Sequence, residues 1–484
     1  MDILDSEAAG PTALRGSILR AAGFVGGLLL TLASAPLLIR HLGDAEFGRY
    51  SAVLAVIAVV AGLTEAGLNT IALRELSALK DPVEQRQMLR DLLGLRLVLA
   101  LVGVAAAVGF SAAAGYGEGL VLGTLLAGVG LVVLVTQTLL ASVLQSRLRF
   151  GWAALIDLTR QAMTTGLIVA LVLLDGGVMA FLATAIPSGI VALAITVALL
   201  RGSVSLRPSF HPRRWLPLLR DTLVFALAVA VNSLYFRISL LIMSLVATAE
   251  QTGQFAVSFR VIEVLIVVPT LLIGAAFPLI SRSARWDPER FQFGVARLFE
   301  LALFVGVLIG LCLLLASPFA IEVLVGSSDH PSVGVLQIQS AAIIASFIAS
   351  ATGYPLLSLH RHRETLWANC ASLVVAAGLT FALAPGLGAR GAAIAAVVAD
   401  FTLAGTNAVL LVRNGGPSLP LGAVPVALAA AVFGYGAGVL VGVHPLVEAA
   451  VGGTVFLAVL AVLGRFPPEV RELLRRPTMP SPAS

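Results

Sequence analysis

Long apolar runs separated by short polar gaps dominate this chain. There are fourteen such runs, and most have the roughly 20 residues that a helix needs to cross the hydrocarbon core of a bilayer. Each run is predicted to be a membrane-spanning helix, so the expected fold class is an all-α polytopic membrane protein. The runs are 17–39, 49–70, 92–112, 119–146, 152–174, 178–200, 221–247, 254–280, 297–316, 333–358, 366–384, 388–412, 420–441 and 445–464.

Basic residues crowd into every second gap between these runs. Of the 31 Lys and Arg residues, 25 fall on one side: in alternate gaps, in the terminal segments or in the first residues of the adjoining runs. Arg86, Arg90 and Arg96 are counted among them. Because Lys and Arg are enriched in cytoplasmic loops, this pattern predicts an inner-membrane protein with both termini in the cytoplasm and an even number of spans. The opposite side holds only Arg40, Arg49 and Arg390. The last three basic residues lie deeper inside runs: Arg160, Arg237 and Arg260.

The composition excludes an ordinary soluble domain. The mean hydropathy is +1.00, 58% of the residues are hydrophobic and only 12% are charged. The pI near 9.7 does not indicate nucleic acid, because topology and anionic lipid headgroups account for positive charge in short loops. Cys312 and Cys370 lie in apolar runs without the spacing of a disulfide or metal site. The first run lacks a small-residue cleavage pattern and is expected to be a span rather than a signal peptide.

Two pairs of short segments resemble each other across the chain. The segment 46–52 is echoed by 251–257, and 175–180 is echoed by 389–394, at offsets of 205 and 214. All four lie at predicted outer turns that enter helices running inward. The halves are therefore predicted to be parallel repeats related by an axis along the membrane normal, an architecture typical of alternating access.

This repeat predicts a domain layout. The expected parts are an N-lobe of six spans, an Arg/Pro-rich cytoplasmic linker acting as a hinge, a C-lobe of six spans, an appended span pair and a cytoplasmic tail. A short surface helix is also expected within 71–91, interrupted at Asp81-Pro82. The five parts are 1–200, 201–220, 221–412, 413–464 and 465–484.

Ionisable residues inside the spans are the candidates for function, because a charge in hydrocarbon costs at least ~2.5–3.5 kcal/mol unless it has a partner or a wet cavity. Arg237 is the clearest case, since no acid lies three or four residues from it; Asp400 in span twelve is its candidate partner. Arg260 has Glu263 three residues later, which favours a local ion pair.

The first half holds weaker candidates. Arg160 lies three residues after Asp157, where a local pair near the interface is again favoured. Glu65 and Asn69 lie one turn apart near the inner end of span two, within expected reach of Arg20 and Arg74. An arginine in a cavity favours an anionic ligand, because guanidinium matches phosphate oxygens and keeps its charge. A diphosphate with an apolar tail would fit such a site.

Several segments resemble one known family. The stretch from Ala35 to Tyr50 resembles the first-loop signature of bacterial oligosaccharide (O-antigen type) flippases, of the multidrug/oligosaccharidyl-lipid/polysaccharide exporter superfamily. Gly67-Leu68-Asn69 with Arg74 is similar to the close of their second span. Further similar segments, within a resemblance that covers roughly 15–412, are 235–237, 253–263, 269–282 and 388–394.

The resemblance implies a two-lobe bundle that moves polyprenyl-diphosphate-linked glycans from the cytoplasmic to the outer leaflet. It implies that central arginines hold the diphosphate or acidic sugars. The substrate-binding set predicted on all these grounds is Arg237, Arg260, Arg160, Glu65, Asn69 and Asp400. One departure matters: relatives often carry an acid shortly after the span-seven arginine, where this chain has Ser239. Ion coupling through that position is therefore not supported.

Two other classes of protein remain as alternatives. A small-molecule antiporter of the same superfamily, exporting organic cations, should have an acid-dominated cavity, whereas Arg237 and Arg260 indicate the opposite polarity. A membrane-bound glycan polymerase or glycosyltransferase generally needs a sizeable outer loop, and the outer gaps here are short. The cluster 360–363, His-Arg-His-Arg, is more typical of an orientation signal than of a metal site. We therefore expect a transporter without cofactor or metal, working with membrane lipid and polysaccharide-assembly enzymes.

Overall fold

The computed structural model describes residues 9–65, 68–79, 81–147, 149–201 and 207–465. Every regular element within these ranges is a helix. The all-α class predicted from the apolar runs is confirmed. In chain order the helices are α1 (Ala9–Glu65), α2 (Leu68–Ala78), α3 (Pro82–Ala113), α4 (Glu118–Ser146), α5 (Phe150–Leu173), α6 (Val178–Ala183), α7 (Ala185–Leu199), α8 (Pro212–Val246), α9 (Ala249–Leu265), α10 (Val267–Trp286), α11 (Pro288–Val325), α12 (Ser332–Ser358), α13 (His362–Arg413), α14 (Ala423–Val441) and α15 (Pro445–Val462).

Twelve candidate spans in the described ranges are long and apolar enough to cross a membrane. Large apolar side chains lie exposed on their surfaces, with Leu173, Leu440 and Val462 between 80% and 87% exposed. Such exposure is expected of a lipid-facing surface and would be a liability in water. The chain is therefore a multi-pass membrane protein.

Two of the twelve candidates each contain a pair of the predicted runs. Helix α1 is interrupted at Gly43 (φ 67°) and α13 at Gly388 (φ 57°). Positive φ is readily adopted by glycine because it has no Cβ. The chain thus turns from one run into the next at a single residue, where the sequence predicted a polar gap. The count of fourteen spans itself stays a prediction.

The predicted break at Asp81-Pro82 is present. The Asp81 carboxylate accepts a hydrogen bond of 2.9 Å from the Val83 amide and caps α3, whose first residue is Pro82. The helix before the break, α2, buries Leu68, Ala72 and Leu76 at i, i+4 and i+8. The short helix is therefore amphipathic, and its apolar side packs with α3 and α4 into one core cluster.

Contacts divide the chain into two compact units. Unit 1 contains the described residues up to Ala256 together with Thr380–Gly388, and unit 2 contains Val257–Leu379 and the described residues from Ala389 onward. Helix α8 and the first turns of α9 thus belong to unit 1. The lobes predicted from the repeat, 1–200 and 221–412, rest on sequence similarity and stay a prediction.

Within unit 1, α1 packs on α5 through glycine. A Cβ at Gly23 would lie 3.0 Å from the Ala154 Cβ, and one at Gly27 would lie 3.2 Å from the Gln161 side chain. The Thr31 hydroxyl donates to Gln161 Oε1 at 3.2 Å across the same interface. Small residues let helix backbones approach closely, so polar groups of the two helices come within hydrogen-bonding range.

The end of the predicted linker is fixed to α3 rather than free. The Ser209 amide donates to the Arg90 carbonyl at 2.9 Å, and Arg90 Nε donates to the Arg207 carbonyl at 3.2 Å. A Cβ at Gly94 would lie closer than 3.0 Å to the Ser209 carbonyl oxygen, so only glycine leaves room for this contact. Trp215, in the first turns of α8, is buried in the same core. Residues 202–206, the middle of the predicted hinge, lie outside the described residues.

Two of the echoed segments pack against each other within unit 1. A Cβ at Gly48 would lie closer than 3.0 Å to the Ala249 carbonyl oxygen, and one at Gly253 would lie closer than 3.0 Å to the Asp44 carbonyl oxygen. Gly48 and Gly253 are equivalent residues of the 46–52 and 251–257 echo. Both backbones need glycine at this crossing of α1 and α9, so the echo marks a reciprocal contact.

Unit 2 contains a second core built by α11, α14 and α15. Gly434 of α14 lies against the Gly452 carbonyl oxygen of α15, where a Cβ would come within 2.6 Å. Gly438 lies in the same way against the Glu448 carbonyl oxygen, at 2.8 Å from such a Cβ. These contacts join the last two helices to each other, and Leu311 and Leu315 of α11 fill the space beside them.

A buried carboxylate ties the end of α15 to α11. Glu300 accepts from Arg297 Nη1 at 2.8 Å and from Arg465 Nη1 at 3.1 Å, and its side chain is 10% exposed. From the sequence, both arginines were expected only to set the orientation of the chain in the membrane. They also neutralise an acid that would be costly to bury alone.

We expect Glu300→Gln to destabilise the protein by about 1–3 kcal/mol, because the negative charge is lost and one of the two oxygens that accept from the arginines becomes an NH2 donor. The melting temperature of the detergent-purified protein measures this change. Glu289→Gln is the matched control on the same helix, because Glu289 is exposed. Equal melting temperatures for the two variants would contradict a role of Glu300 in joining α15 to α11.

We expect Gly48→Ala to separate α1 from α9, because the new methyl group would overlap the Ala249 carbonyl oxygen. The buried Thr252, 1% exposed, lies beside this contact. In a Thr252→Cys background, Gly48→Ala should therefore increase maleimide labelling of residue 252. Gly109→Ala is the control, since a Cβ there meets no atom within 4 Å. Unchanged labelling in the Gly48 variant would contradict the contact.

Candidate functional site

The predicted site residues fall into both units. Glu65 is the last residue of α1 and Asn69 lies in α2, while Arg160 lies in α5 and Arg237 in α8, all in unit 1. Arg260 lies in α9 and Asp400 in α13, both in unit 2. Each of the six residues is partly buried, and their assignment to a substrate stays a prediction.

Glu65 and Asn69 form a polar cluster where α1 ends. Asn69 Nδ2 donates to Glu65 Oε1 at 3.1 Å, so the expected contact across one turn is present. Arg96 Nη1 donates to the Glu65 backbone carbonyl at 3.4 Å, and the charges of the two residues interact. The side chains of Arg20 and Arg74, which the sequence suggested as partners, lie outside the described residues.

Arg96 belongs to this polar cluster, and sequence reasoning missed it. It was counted with the orientation-setting arginines, yet it is only 3% exposed. Its Nε and the Asn69 Oδ1 are buried without a hydrogen-bond partner among the described residues. Unsatisfied buried polar atoms are costly and occur where a water molecule or ligand completes the site. The available signal was position: Arg96 lies inside the predicted run 92–112, whereas Arg86 and Arg90 precede it.

Arg160 lies beside the α1–α5 interface. Its Nε is buried and has no hydrogen-bond partner among the residues that the structure describes, although the side chain as a whole is partly exposed. The neighbouring Gln161 contacts Thr31 of α1. Arg160 is therefore positioned by a packed interface while one of its donors remains unsatisfied.

Arg237 is partly buried and lies inside the apolar part of α8, nine residues before that helix ends at Val246. Two residues later, Ser239 Oγ accepts a hydrogen bond of 3.2 Å from Thr380 Oγ1, and both hydroxyls are buried. The position at which the resembling family often has an acid is thus occupied by a neutral hydroxyl pair.

Arg260 forms the local ion pair that its spacing favoured. Arg260 Nη1 donates to Glu263 Oε2 at 3.0 Å, and each side chain is 31% exposed. The Glu263 carboxylate balances the charge of Arg260 but leaves hydrogen-bond donors for a ligand, because a guanidinium has five N–H donors and this bond uses one. Asp400 is partly buried and lies in the part of α13 that follows the interruption at Gly388. Its predicted pairing with Arg237 stays a prediction.

Metal ligation has no support in the described ranges. His, Cys, Asp and Glu side chains there form no group of three or more that could hold a metal ion. The His360 and His362 rings lie 6.3 Å apart, and His360 Nε2 lies 3.4 Å from Arg285 Nη2. An adjacent guanidinium disfavours a cation at this pair of imidazoles.

We expect Arg96→Gln to destabilise the protein by about 1–3 kcal/mol, because it leaves Glu65 without its nearby positive charge. Arg86→Gln is the matched control: it removes one positive charge from the same predicted loop, and Arg86 is exposed. Melting temperature and yield in membranes measure the difference. The double variant Glu65→Gln/Arg96→Gln should recover part of the loss. If Arg86→Gln and Arg96→Gln have equal effects, Arg96 acts on orientation alone.

Solved structures resemble this fold at low sequence identity. The inward closed conformation of the lipid II flippase MurJ matches with a TM-score of 0.76 and 13% identity, covering 95% of this chain and 100% of that one. An inward-facing multidrug resistance MATE family transporter of the MOP superfamily gives 0.66 and 15%, covering 80% and 94%. A MOP superfamily transporter from Pyrococcus furiosus, described by the reverse polarity of its binding pocket, gives 0.56 and 16%, covering 83% and 95%. These likenesses establish the fold.

Sequence comparison establishes the family. No curated protein matches the chain in sequence. The family model for polysaccharide biosynthesis proteins matches residues 13–284, which is more than half of the 484 residues. This match includes α1 to α9 and therefore five of the six predicted site residues. With its apolar spans and its fold, the chain belongs to the polysaccharide biosynthesis protein family.

Proposed function

We propose that this protein moves a polyprenyl-diphosphate-linked oligosaccharide from the cytoplasmic to the outer leaflet of the inner membrane, for cell-surface polysaccharide biosynthesis. The observation that carries the proposal is the position of Arg237 inside an apolar span of a polysaccharide biosynthesis protein. A charge at that depth is costly and is typically retained for a substrate pathway.

The chemistry of the site supports an anionic head group. Arg237 and Arg160 are guanidinium groups on spanning helices of unit 1, and Arg160 Nε is an unsatisfied donor among the described residues. Guanidinium groups bind phosphate oxygens through paired N–H donors. In the proposed site of unit 1 these two arginines hold the diphosphate, and Glu65 and Asn69 contact sugar or amide groups. Arg260 and Asp400 of unit 2 stay predicted substrate contacts.

The fold supports a transport cycle of alternating access. Among the solved structures of this fold, one is a lipid II flippase and others are multidrug transporters. In unit 1 the glycine crossing of α1 and α9 holds two backbones in direct contact at the end that the charge pattern predicts to face outward. Opening that crossing would release the substrate on the outer side. In this proposal both termini lie in the cytoplasm, as the charge pattern predicts, and polysaccharide-assembly enzymes supply and use the lipid-linked glycan.

A second function, export of organic cations, is favoured by the likeness to MATE transporters. The arginines argue against it, because a cation in low dielectric is repelled by a nearby guanidinium. The same fold includes a transporter described by a binding pocket of reverse polarity, so pocket polarity differs among proteins of this fold. No enzymatic activity is proposed.

The test is transport by variants of Arg237. Arg237→Ala should reduce flipping of a polyprenyl-diphosphate oligosaccharide in proteoliposomes about tenfold or more, since a hydrogen bond to a charged group contributes about 1.5–3 kcal/mol. Arg237→Lys should retain part of the activity. Arg282→Ala, which removes an exposed arginine, is the matched control. An organic cation such as tetraphenylphosphonium should not be transported by the wild-type protein.

Analysis of a deletion strain tests the same proposal in cells. Loss of the protein should lead to accumulation of the lipid-linked precursor on the cytoplasmic side and loss of the surface glycan. Normal surface glycan without precursor accumulation would overturn the proposal. Cation efflux that survives or improves in Arg237→Ala would favour the alternative.

A further inference from the structure

A cavity of about 180 Å³ lies in unit 1 apart from the arginines discussed above. It is formed by the second half of α1, the loop between α3 and α4 with the first turn of α4, the end of α8 and the start of α9. The charge pattern predicts that this end of the unit faces outward. The polar side chains that line it are Arg49, Tyr116, Ser244 and Thr252.

The hydroxyl groups that line this cavity already donate their hydrogens to other protein atoms. Ser244 Oγ donates to the Leu241 carbonyl at 2.7 Å, so the 2.5 Å bond between Tyr116 and Ser244 must use the Tyr116 hydrogen. Thr252 Oγ1 donates to the Thr248 carbonyl at 2.9 Å. Burial raises the pKa of Tyr116, while its bond to Ser244 lowers it in part, so the phenol stays protonated. The three oxygens can therefore only accept a further hydrogen bond.

Arg49 is the charged donor of the cavity. Its Nη1 bonds to Glu46 one turn away, and both side chains are nearly half exposed. The pair has no net charge, and the guanidinium has four further N–H groups by its chemistry. The cavity thus combines hydroxyl acceptors with guanidinium donors and has no excess charge. The Tyr116 ring, held edge-on by Phe110 at a centroid distance of 6.5 Å, adds a flat apolar surface.

This combination selects one chemical class of ligand. Inorganic diphosphate accepts hydrogen bonds but has almost no hydrogen to donate to the hydroxyl oxygens, and an organic cation has no acceptor for the N–H groups of Arg49. A neutral sugar ring carries hydroxyls that both donate and accept, together with an apolar face for the aromatic ring. Ligand sites commonly pair an apolar wall with a few convergent polar groups in this way.

We propose that this cavity is a saccharide site, which binds a neutral sugar unit of the glycan at the outer end of the pathway. The proposal rests on the proposed function for the source of the sugar, and it adds a substrate class to residues that function did not use. The oligosaccharide, once its lipid head group has moved, would have a place to bind that is separate from the arginines of the spans. Neutral sugars, rather than the diphosphate, are recognised here.

Binding of free sugars to the purified protein in nanodiscs tests the site. N-acetylglucosamine and glucose should give saturation-transfer NMR signals, and inorganic diphosphate should not compete with them. Arg49→Gln should weaken binding about tenfold, and Tyr116→Phe a few-fold, because they remove a charged and a neutral hydrogen-bonding group respectively. Arg40→Gln and Tyr435→Phe are the matched controls, since both residues are exposed and lie outside the cavity lining.

A second measurement does not depend on variants. Amide hydrogen exchange of residues 115–120 in the wild-type protein should slow when N-acetylglucosamine is added. Absence of any sugar signal, or competition by diphosphate, would overturn the saccharide site. So would equal binding by the Arg49→Gln and Arg40→Gln variants. Equilibrium binding can be measured without transport, so the two proposals can fail separately. If the protein flips lipid-linked glycan but binds no sugar, only this inference is contradicted. If it binds sugar but flips nothing, only the proposed function is contradicted.

Discussion

The cost of placing charge in hydrocarbon determines how this protein is organised. Most basic residues lie in polar gaps, and those that enter helices meet acids or polar groups: Arg260 meets Glu263 at 3.0 Å, and Arg96 lies against the end of α1 at Glu65. Glu300, more than three turns into α11, is bound by two arginines. An ionised group that lacks such neutralisation would be too costly to keep in an apolar span. Charged residues inside the spans are therefore the best guide to function, because their cost must be offset.

Close backbone contact is the second constraint, and glycine supplies it. The crossings at Gly48 and Gly253, at Gly94, and at Gly434 and Gly452 each leave no room for a side chain. Helices in a membrane gain stability from such packing because lipid provides little hydrophobic force between them. The same contacts are natural points of movement, since few interlocking side chains must separate when two glycine surfaces part. The α1–α9 crossing adjoins the proposed saccharide cavity, whose lining includes Gly48.

Several features of the site were predictable because they are local. The Arg260–Glu263 and Glu65–Asn69 contacts follow from spacing along a helix, and the cap at Asp81 follows from Asp-Pro. Other features join residues far apart in the chain and have no local signal. Arg465 meets Glu300 across 165 positions, and Tyr116 meets Ser244 across 128. The echo of 46–52 in 251–257 pointed to duplication, but only packing showed that its two glycines meet.

The sequence by itself determined that this is an all-helical membrane protein, because the hydropathy and charge of a segment decide whether it lies in lipid or in water without any knowledge of its neighbours in the fold. The resemblance of several segments indicated a polysaccharide-related family. The sequence also identified the charged residues within the spans, except Arg96. The tertiary structure alone decided which arginines are buried, that the end of the linker is fixed on α3, and that four polar side chains converge on one cavity. These depend on helix–helix packing, where a single glycine or a bend at one residue decides which distant groups come within hydrogen-bonding distance.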